Sequence, residues 1–154
     1  MMRLESLWMR AVTLLLVEDD VDDEALMVRV LARRQPALTY HVARNGRDAL
    51  AYLAQAPSPP QLILLDLQLP RLGGLELLQA LRLEPATRLT PVVVFTSSTD
   101  RTDVVTAYDL GANSYIFKPV EFQHFSSVLE QLLNYWVELN QPLPPRTDHL
   151  RYLS

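Results

Sequence analysis

The chain contains no cysteine, which excludes disulfide scaffolds, zinc–thiolate centres and thiol catalysis. Its longest apolar runs, such as Ala11–Val17, are far too short to span a bilayer. Positive charge is not in excess: 14 basic residues face 18 acidic ones, a net charge of -4. That balance argues against non-specific nucleic-acid binding. Histidine is scarce; His41, His124 and His149 lie far apart, without metal-ligand spacing. Residues 1–11 lack a continuous apolar stretch, so they read as a leader rather than a signal peptide, and a soluble cytoplasmic protein is expected. What remains is 154 residues, 49% apolar and 21% charged, the size and balance of one globular domain.

Lysine is the least expected scarcity. The chain has 13 arginines and a single lysine, Lys118, set between an apolar run and Pro119. A lysine there offers a compact point charge on a flexible stem, which arginine does not.

Five short apolar runs alternate with helical patterns. The runs are Val12–Val17, Leu38–Ala43, Leu62–Leu65, Val92–Phe95 and Ser114–Phe117. Four are nearly all apolar, as strands covered on both faces must be. Leu38–Ala43 carries Thr39 and His41 and reads as an edge strand. Helices are expected over Asp20–Arg34, Gly46–Gln55, Gly74–Leu83, Asp100–Leu110 and Val120–Leu139. All four glycines, at 46, 73, 74 and 111, fall at element boundaries. This alternation implies an α/β fold of parallel strands joined by right-handed crossovers. Pro142, Pro144 and Pro145 close the domain, giving a unit over 12–139 and a tail over 140–154.

Ligands of open parallel sheets bind at the carboxyl ends of the strands. The first strand is followed by Glu18, Asp19 and Asp20; the third by Asp66; the fourth by Thr96, Ser97 and Ser98; the fifth by Lys118. If those strands are neighbours, carboxylates, a hydroxyl and an ammonium share one pocket. Crowded carboxylates resist ionisation unless a positive charge joins them. Mg²⁺ meets that need, since it takes a few carboxylates, keeps waters and accepts phosphoryl oxygens. An aspartate beside it is a nucleophile toward phosphorus, with a hydroxyl and a lysine to hold the phosphoryl oxygens. Taken singly, these residues are ordinary loop and capping positions, and Asp20, Asp22 and Asp23 read as first-turn partners of a helix dipole.

Four segments resemble the receiver domains of two-component response regulators. They are Leu15-Leu16-Val17-Glu18-Asp19-Asp20, Leu64-Leu65-Asp66-Leu67-Gln68-Leu69-Pro70 with Gly73-Gly74, Val94-Phe95-Thr96-Ser97, and Gly111 through Pro119. The resemblance implies a five-stranded flavodoxin-like sheet in the order 2-1-3-4-5, with helices on both faces. It implies phosphorylation of Asp66 by a histidine kinase. It also implies Mg²⁺ held directly by Asp19, Asp66 and the Gln68 backbone carbonyl, and through water by Glu18. Lys118 would pair with the phosphoryl group, with a cis bond to Pro119. Thr96 would bind a phosphoryl oxygen and shift, and Tyr115 would rotate inward with it. The Leu-Pro-Arg-Leu-Gly-Gly turn and the ending Asn134-Tyr135-Trp136-Val137-Glu138-Leu139 are similar to single-domain regulators paired with bacterial phytochromes.

Other functions stay in view. An aspartate-nucleophile phosphatase usually needs an acid two positions after the nucleophile; Gln68 stands there and cannot donate a proton. A flavin module would need a phosphate loop where Glu18-Asp19-Asp20 repels phosphate. A phosphorylation-independent interaction domain has no use for the acidic set. The expectation is a phosphoacceptor rather than an enzyme, with a sensor kinase as partner and no nucleic acid or membrane. A homodimer is also expected, through the fourth helix, fifth strand and fifth helix, with the tail as an arm.

Overall fold

The computed structural model describes residues 13–144. The leader, Val12 and the end of the tail lie outside them, so expectations about those segments are not addressed by the fold. The strands are β1 Leu14–Val17, β2 Tyr40–Ala43, β3 Leu62–Leu65, β4 Val92–Thr96 and β5 Ser114–Phe117. The helices are α1 Val21–Ala32, α2 Gly46–Gln55, α3 Gly74–Leu83, α4 Arg101–Asp109 and α5 Phe122–Leu133. All pairings are parallel and the sheet order is β2-β1-β3-β4-β5.

The uniformly apolar strands follow from cover on both faces. Leu14, Leu16, Leu62, Leu64, Val93 and Phe95 pack with Met27, Val30 and Leu31 of α1 and Phe125, Leu129, Leu132 and Leu133 of α5. Leu15, Val17, Ile63, Leu65, Val92 and Val94 point the other way, onto Ala49 of α2, Leu77, Leu78 and Leu81 of α3 and Ala107 of α4. Each strand therefore feeds two cores by simple alternation. β2 pairs only with β1 and carries the exposed Tyr40 and His41, as an edge strand should.

Polar side chains cap the starts of α1, α2 and α4. Asp20 Oδ1 accepts the Asp23 N–H at 2.9 Å, Asn45 Oδ1 that of Asp48 at 2.8 Å, and Asp100 Oδ1 that of Thr102 at 2.8 Å. Each such cap contributes about 1 kcal/mol. Two glycines are required by space or conformation. A Cβ on Gly74 would lie 2.5 Å from the Asp66 carbonyl oxygen and from Leu67 Cα, so α3 can start this close to the end of β3 only with glycine. Gly111 adopts φ +102°, a left-handed backbone that ends the α4 region.

The last helix departs from expectation. It is α-helical only to Leu133 and continues as a π-helical segment over Asn134–Leu139. The Asn140 N–H donates five residues back to the Tyr135 carbonyl at 2.6 Å. The side-chain amide of Gln61 donates to the carbonyls of Trp136 (3.3 Å) and Val137 (3.0 Å). Arg34 donates to Asn134 Oδ1 at 3.1 Å and Glu138 Oε1 at 2.7 Å. Contacts from distant residues thus hold the widened turn, and no helical period in the sequence encodes them. Trp136 and Val137 of this segment are partly buried and pack against the core.

Candidate functional site

Strand register brings the site together. Val17 lies opposite Leu65, Leu65 opposite Val94, and Thr96 opposite Phe117. The residue after each strand therefore emerges at one edge of the sheet. The Asp66 N–H donates to the Val17 carbonyl at 3.0 Å, and the Lys118 N–H to the Thr96 carbonyl at 2.8 Å. Glu18, Asp66, Thr96 and Lys118 are all buried.

Lys118 is the centre of the arrangement. Its Nζ donates to Glu18 Oε2, Asp23 Oδ2 and Asp66 Oδ2, each at 2.8 Å. Asp66 Oδ1 accepts from Thr96 Oγ1 at 2.7 Å and from the Gln68 N–H at 3.2 Å. Glu18 Oε1 accepts from the Asp20 N–H at 3.0 Å. The Lys118–Pro119 bond is trans, against the expected cis; the only cis bond among the described residues is Gln35–Pro36. The flexible lysine stem reaches the carboxylates from the trans backbone, so the contact does not need the other isomer.

Two carboxylates sharing one ammonium do not ionise equally. Burial, and then the charge of Asp66, push Glu18 up to about 8, despite its ion pair with Lys118. Asp66 moves the other way. Burial alone would raise it, but the Lys118 hydrogen bond and charge, the Thr96 hydroxyl and the Gln68 N–H together hold it below the ordinary aspartate value. Burial opposes the charge on Lys118, and the hydrogen bonds to Asp23, Asp66 and Glu18 outweigh it, raising its pKa. The acidic groups of the pocket thus outnumber its one cation, and the excess is met by a proton on Glu18.

This imbalance predicts an unusual pH profile. Folded protein keeps the Glu18 proton toward pH 8, whereas the unfolded chain releases it near 4.5. The folded state binds more protons in that window, so stability falls as pH rises through it. Asp66 acts oppositely, but only at low pH: its contribution is present above 3.8 and lost as pH falls through its lower folded value. The Lys118 contribution is complete below 10.5 and is lost only at higher pH. In buffer containing a chelator, Tm is expected to be lower at about pH 8 than at about pH 5.5. A flat or rising profile between those points would contradict the charge imbalance.

The structure brings Glu18, Asp66, Thr96 and Lys118 together as the sequence suggested. Asp19 is exposed beside them, and Gln68 follows Asp66 with its side chain exposed. Among the described residues, no three histidine or acidic side chains are arranged to hold a metal ion by themselves. The point where the carboxylates converge is taken by the Lys118 ammonium. The donor set still fits a hard divalent cation, since it consists of carboxylate and carbonyl oxygens with surplus negative charge. Tyr115 lies further out, its hydroxyl donating to the Ser98 carbonyl at 2.9 Å. Ser98 Oγ donates to Asp103 Oδ2 at 2.6 Å.

Asp23 was missed as a site residue. It sits third in α1 after the Asp20 cap, where an acidic side chain commonly reaches back past the helix start. The Asp20-x-x-Asp23 spacing held that signal, but the dipole reading of the first turn accounted for the same residue.

The sheet order and this pocket together define a receiver. Residues 14–130 match the response regulator receiver domain family. The chain belongs to that family, the phosphoacceptor class of two-component signalling. The probable methanogenesis regulatory protein FilR2 of Methanothrix harundinacea is 35% identical over 136 residues, covering 86% of this chain and 88% of that protein. Response regulator Rcp1 of Synechocystis is 35% identical over 130 residues, covering 81% and 88% respectively. The crystal structure of the Mn²⁺-bound form of Rcp1 aligns with a TM-score of 0.80 at 33% identity, over 86% of this chain and 99% of that one. The phosphorylated cyanobacterial phytochrome response regulator RcpA aligns with a TM-score of 0.81 at 31% identity, over 86% and 98%. Among the described residues no helix is long and apolar enough to cross a membrane.

Proposed function

We propose that Asp66 accepts a phosphoryl group from a phosphohistidine on a phytochrome-type sensor kinase in the cytoplasm. The observation that carries this reading is the grip on Asp66: Lys118 at one carboxylate oxygen, 2.8 Å, and the Thr96 hydroxyl at the other, 2.7 Å. Both donors are then in place for the oxygens of an arriving phosphoryl group. Likeness to Rcp1 and RcpA supports the choice of kinase.

In the transfer, an Asp66 carboxylate oxygen forms a bond to phosphorus as the phosphorus–nitrogen bond breaks. The electron pair stays on the imidazole nitrogen, which takes a proton from solvent. The depressed pKa of Asp66 keeps the nucleophile ionised. Lys118 and Thr96 donate to the phosphoryl oxygens as charge moves onto them. Mg²⁺, held by Asp19, Asp66 and the Gln68 carbonyl and through water by Glu18, would neutralise charge on the phosphoryl group when bound. That the relative Rcp1 has a Mn²⁺-bound form supports a divalent ion as the partner of this chain. The chain acts as an acceptor rather than a turnover catalyst: Gln68 gives no acid for rapid hydrolysis.

Thr96 is the switch. Its Oγ1 also accepts the Ser98 N–H at 3.4 Å, and the Ser98 carbonyl holds Tyr115. When the hydroxyl turns to a phosphoryl oxygen, the loop after β4 moves and Tyr115 swings inward. The test of the pairing is a panel of purified histidine kinases with radiolabelled phosphate. The phytochrome-type kinase is expected to label the protein fastest; faster labelling by an unrelated sensor would overturn it.

The active unit is a homodimer in this reading. Val105 and Tyr108 of α4, Phe117 of β5, Val120, and Tyr135 and Leu139 beyond α5 are exposed large apolar residues on the expected face. Such a surface favours burial against a second copy. Leu143, exposed, stands at the start of the proposed arm, whose remainder, residues 145–154, lies outside the described residues. Light scattering of the full chain and of a chain ending at Asn140 tests this. A dimer lost on truncation is expected; a monomer in both rules out the dimer, and a dimer in both rules out the arm.

A further inference from the structure

We propose that Asp23 is the positioning residue that aims the Lys118 ammonium at Asp66 and keeps it aimed while a phosphoryl group arrives. The inference rests on the phosphoacceptor reading of Asp66.

A lysine ammonium has three N–H donors and no acceptor. Here all three are engaged, by Glu18, Asp23 and Asp66, each at 2.8 Å. Glu18 and Asp66 sit at the ends of adjacent strands, β1 and β3. With those two acceptors alone, the ammonium is free to swing about the line joining them. Asp23 approaches from a different element, the first turn of α1, and turns that pair into a tripod.

Its own backbone is fixed. The Asp23 N–H is held by the Asp20 cap at 2.9 Å, so the side chain hangs over the pocket from a rigid point. The side chain keeps 25% of its surface in solvent, against 2% for Glu18 and 6% for Asp66. Asp23 is therefore the outermost support, placed on the mouth side of the lysine.

The consequence concerns the moment of transfer. Once an Asp66 oxygen is bonded to phosphorus, that carboxylate loses its charge and its hold on the ammonium. The donor released turns to a phosphoryl oxygen. Glu18 and Asp23 are the anchors that remain, and without Asp23 the lysine would pivot on Glu18 alone. Charge-assisted contacts of this kind are both short and directional.

The single lysine provides a direct readout. Labelling with ¹⁵N-lysine gives one side-chain ammonium signal, and its hydrogen exchange reports how firmly Lys118 is held without any phosphorylation. Asp23→Ala is expected to speed that exchange and to slow labelling by an acyl-phosphate donor by about tenfold, the scale of one lost charged hydrogen bond. Asp23→Asn keeps an acceptor oxygen at the same reach and is expected to fall between Ala and the wild type. Asp22→Ala removes a neighbouring exposed acid from the same turn and is expected to leave both readouts at the wild-type level.

Unchanged ammonium exchange in Asp23→Ala would overturn the proposal. So would faster exchange with an unchanged labelling rate, or an Asp22→Ala variant that behaves like Asp23→Ala, which would reduce the effect to the helix dipole. A wild-type chain that keeps a protected ammonium yet takes no label would overturn the phosphoacceptor reading itself, a result distinct from the others.

Discussion

Asp66→Asn is expected to lose all phosphoryl labelling while keeping the fold. Wild-type protein incubated with an acyl-phosphate donor and Mg²⁺ should gain mass by one phosphoryl group, and the variant by none. The amide oxygen can still accept from Thr96, which bonds Asp66 Oδ1 at 2.7 Å; the amide nitrogen cannot accept from Lys118, which keeps Glu18 and Asp23 as its acceptors. What disappears is the nucleophile and one negative charge. The Asp66 charge is the second cause, after burial, that raises Glu18. Removing it lets Glu18 ionise more readily beside Lys118. The variant should therefore also lose part of the decline in stability between about pH 5.5 and about pH 8. A variant that still gains a phosphoryl group would sink the assignment of Asp66. A variant with no label but an unchanged pH profile would instead show that the Glu18–Asp66 repulsion has been misjudged.

Lys118→Met should cost both function and stability. Three carboxylates now meet at the Lys118 ammonium, two of them almost wholly buried. Removing the cation leaves that charge uncompensated, a loss of about 3–5 kcal/mol in buried pairs generally. The carboxylates can answer by taking up protons, so the variant should recover stability as pH falls. Phosphoryl labelling should drop sharply, because the donor nearest the incoming oxygens is gone. Lys118→Arg should not restore it. A planar guanidinium cannot direct compact donors at three converging carboxylates within the space a lysine occupies. Chemical denaturation at about pH 7.5 and about pH 5.5 checks the stability arm. A Met variant as stable as wild type at the higher pH would mean that the carboxylates are solvated or protonated without the lysine.

Much of this molecule was legible before its structure. β3 begins and ends where its apolar run does, because a strand covered on both faces must be apolar throughout. β5 also keeps the bounds of its run, but it is a second edge strand with no fully buried residue, so the double cover expected of it is not there. Gly46 and Gly74 mark the starts of α2 and α3, since neither position has room for a Cβ. The residues after β1, β3, β4 and β5 stood out because chemistry in such sheets gathers at strand ends.

Strand-end chemistry and local periodicity are properties that a sequence determines by itself. Residues close in the chain set helix and strand periods, caps and turns. Tertiary structure alone decided which ends became neighbours. The order β2-β1-β3-β4-β5 brings residues about a hundred positions apart, Glu18 and Lys118, to 2.8 Å. Only that packing shows that Lys118 spends its third donor on Asp23, a residue whose local role as a first-turn acid already explained its presence. The same holds for the end of α5, where Gln61 and Arg34 capture groups of a π-helical turn. A helical period cannot announce contacts made by residues from other elements, because their approach depends on how the whole sheet and its covering helices pack.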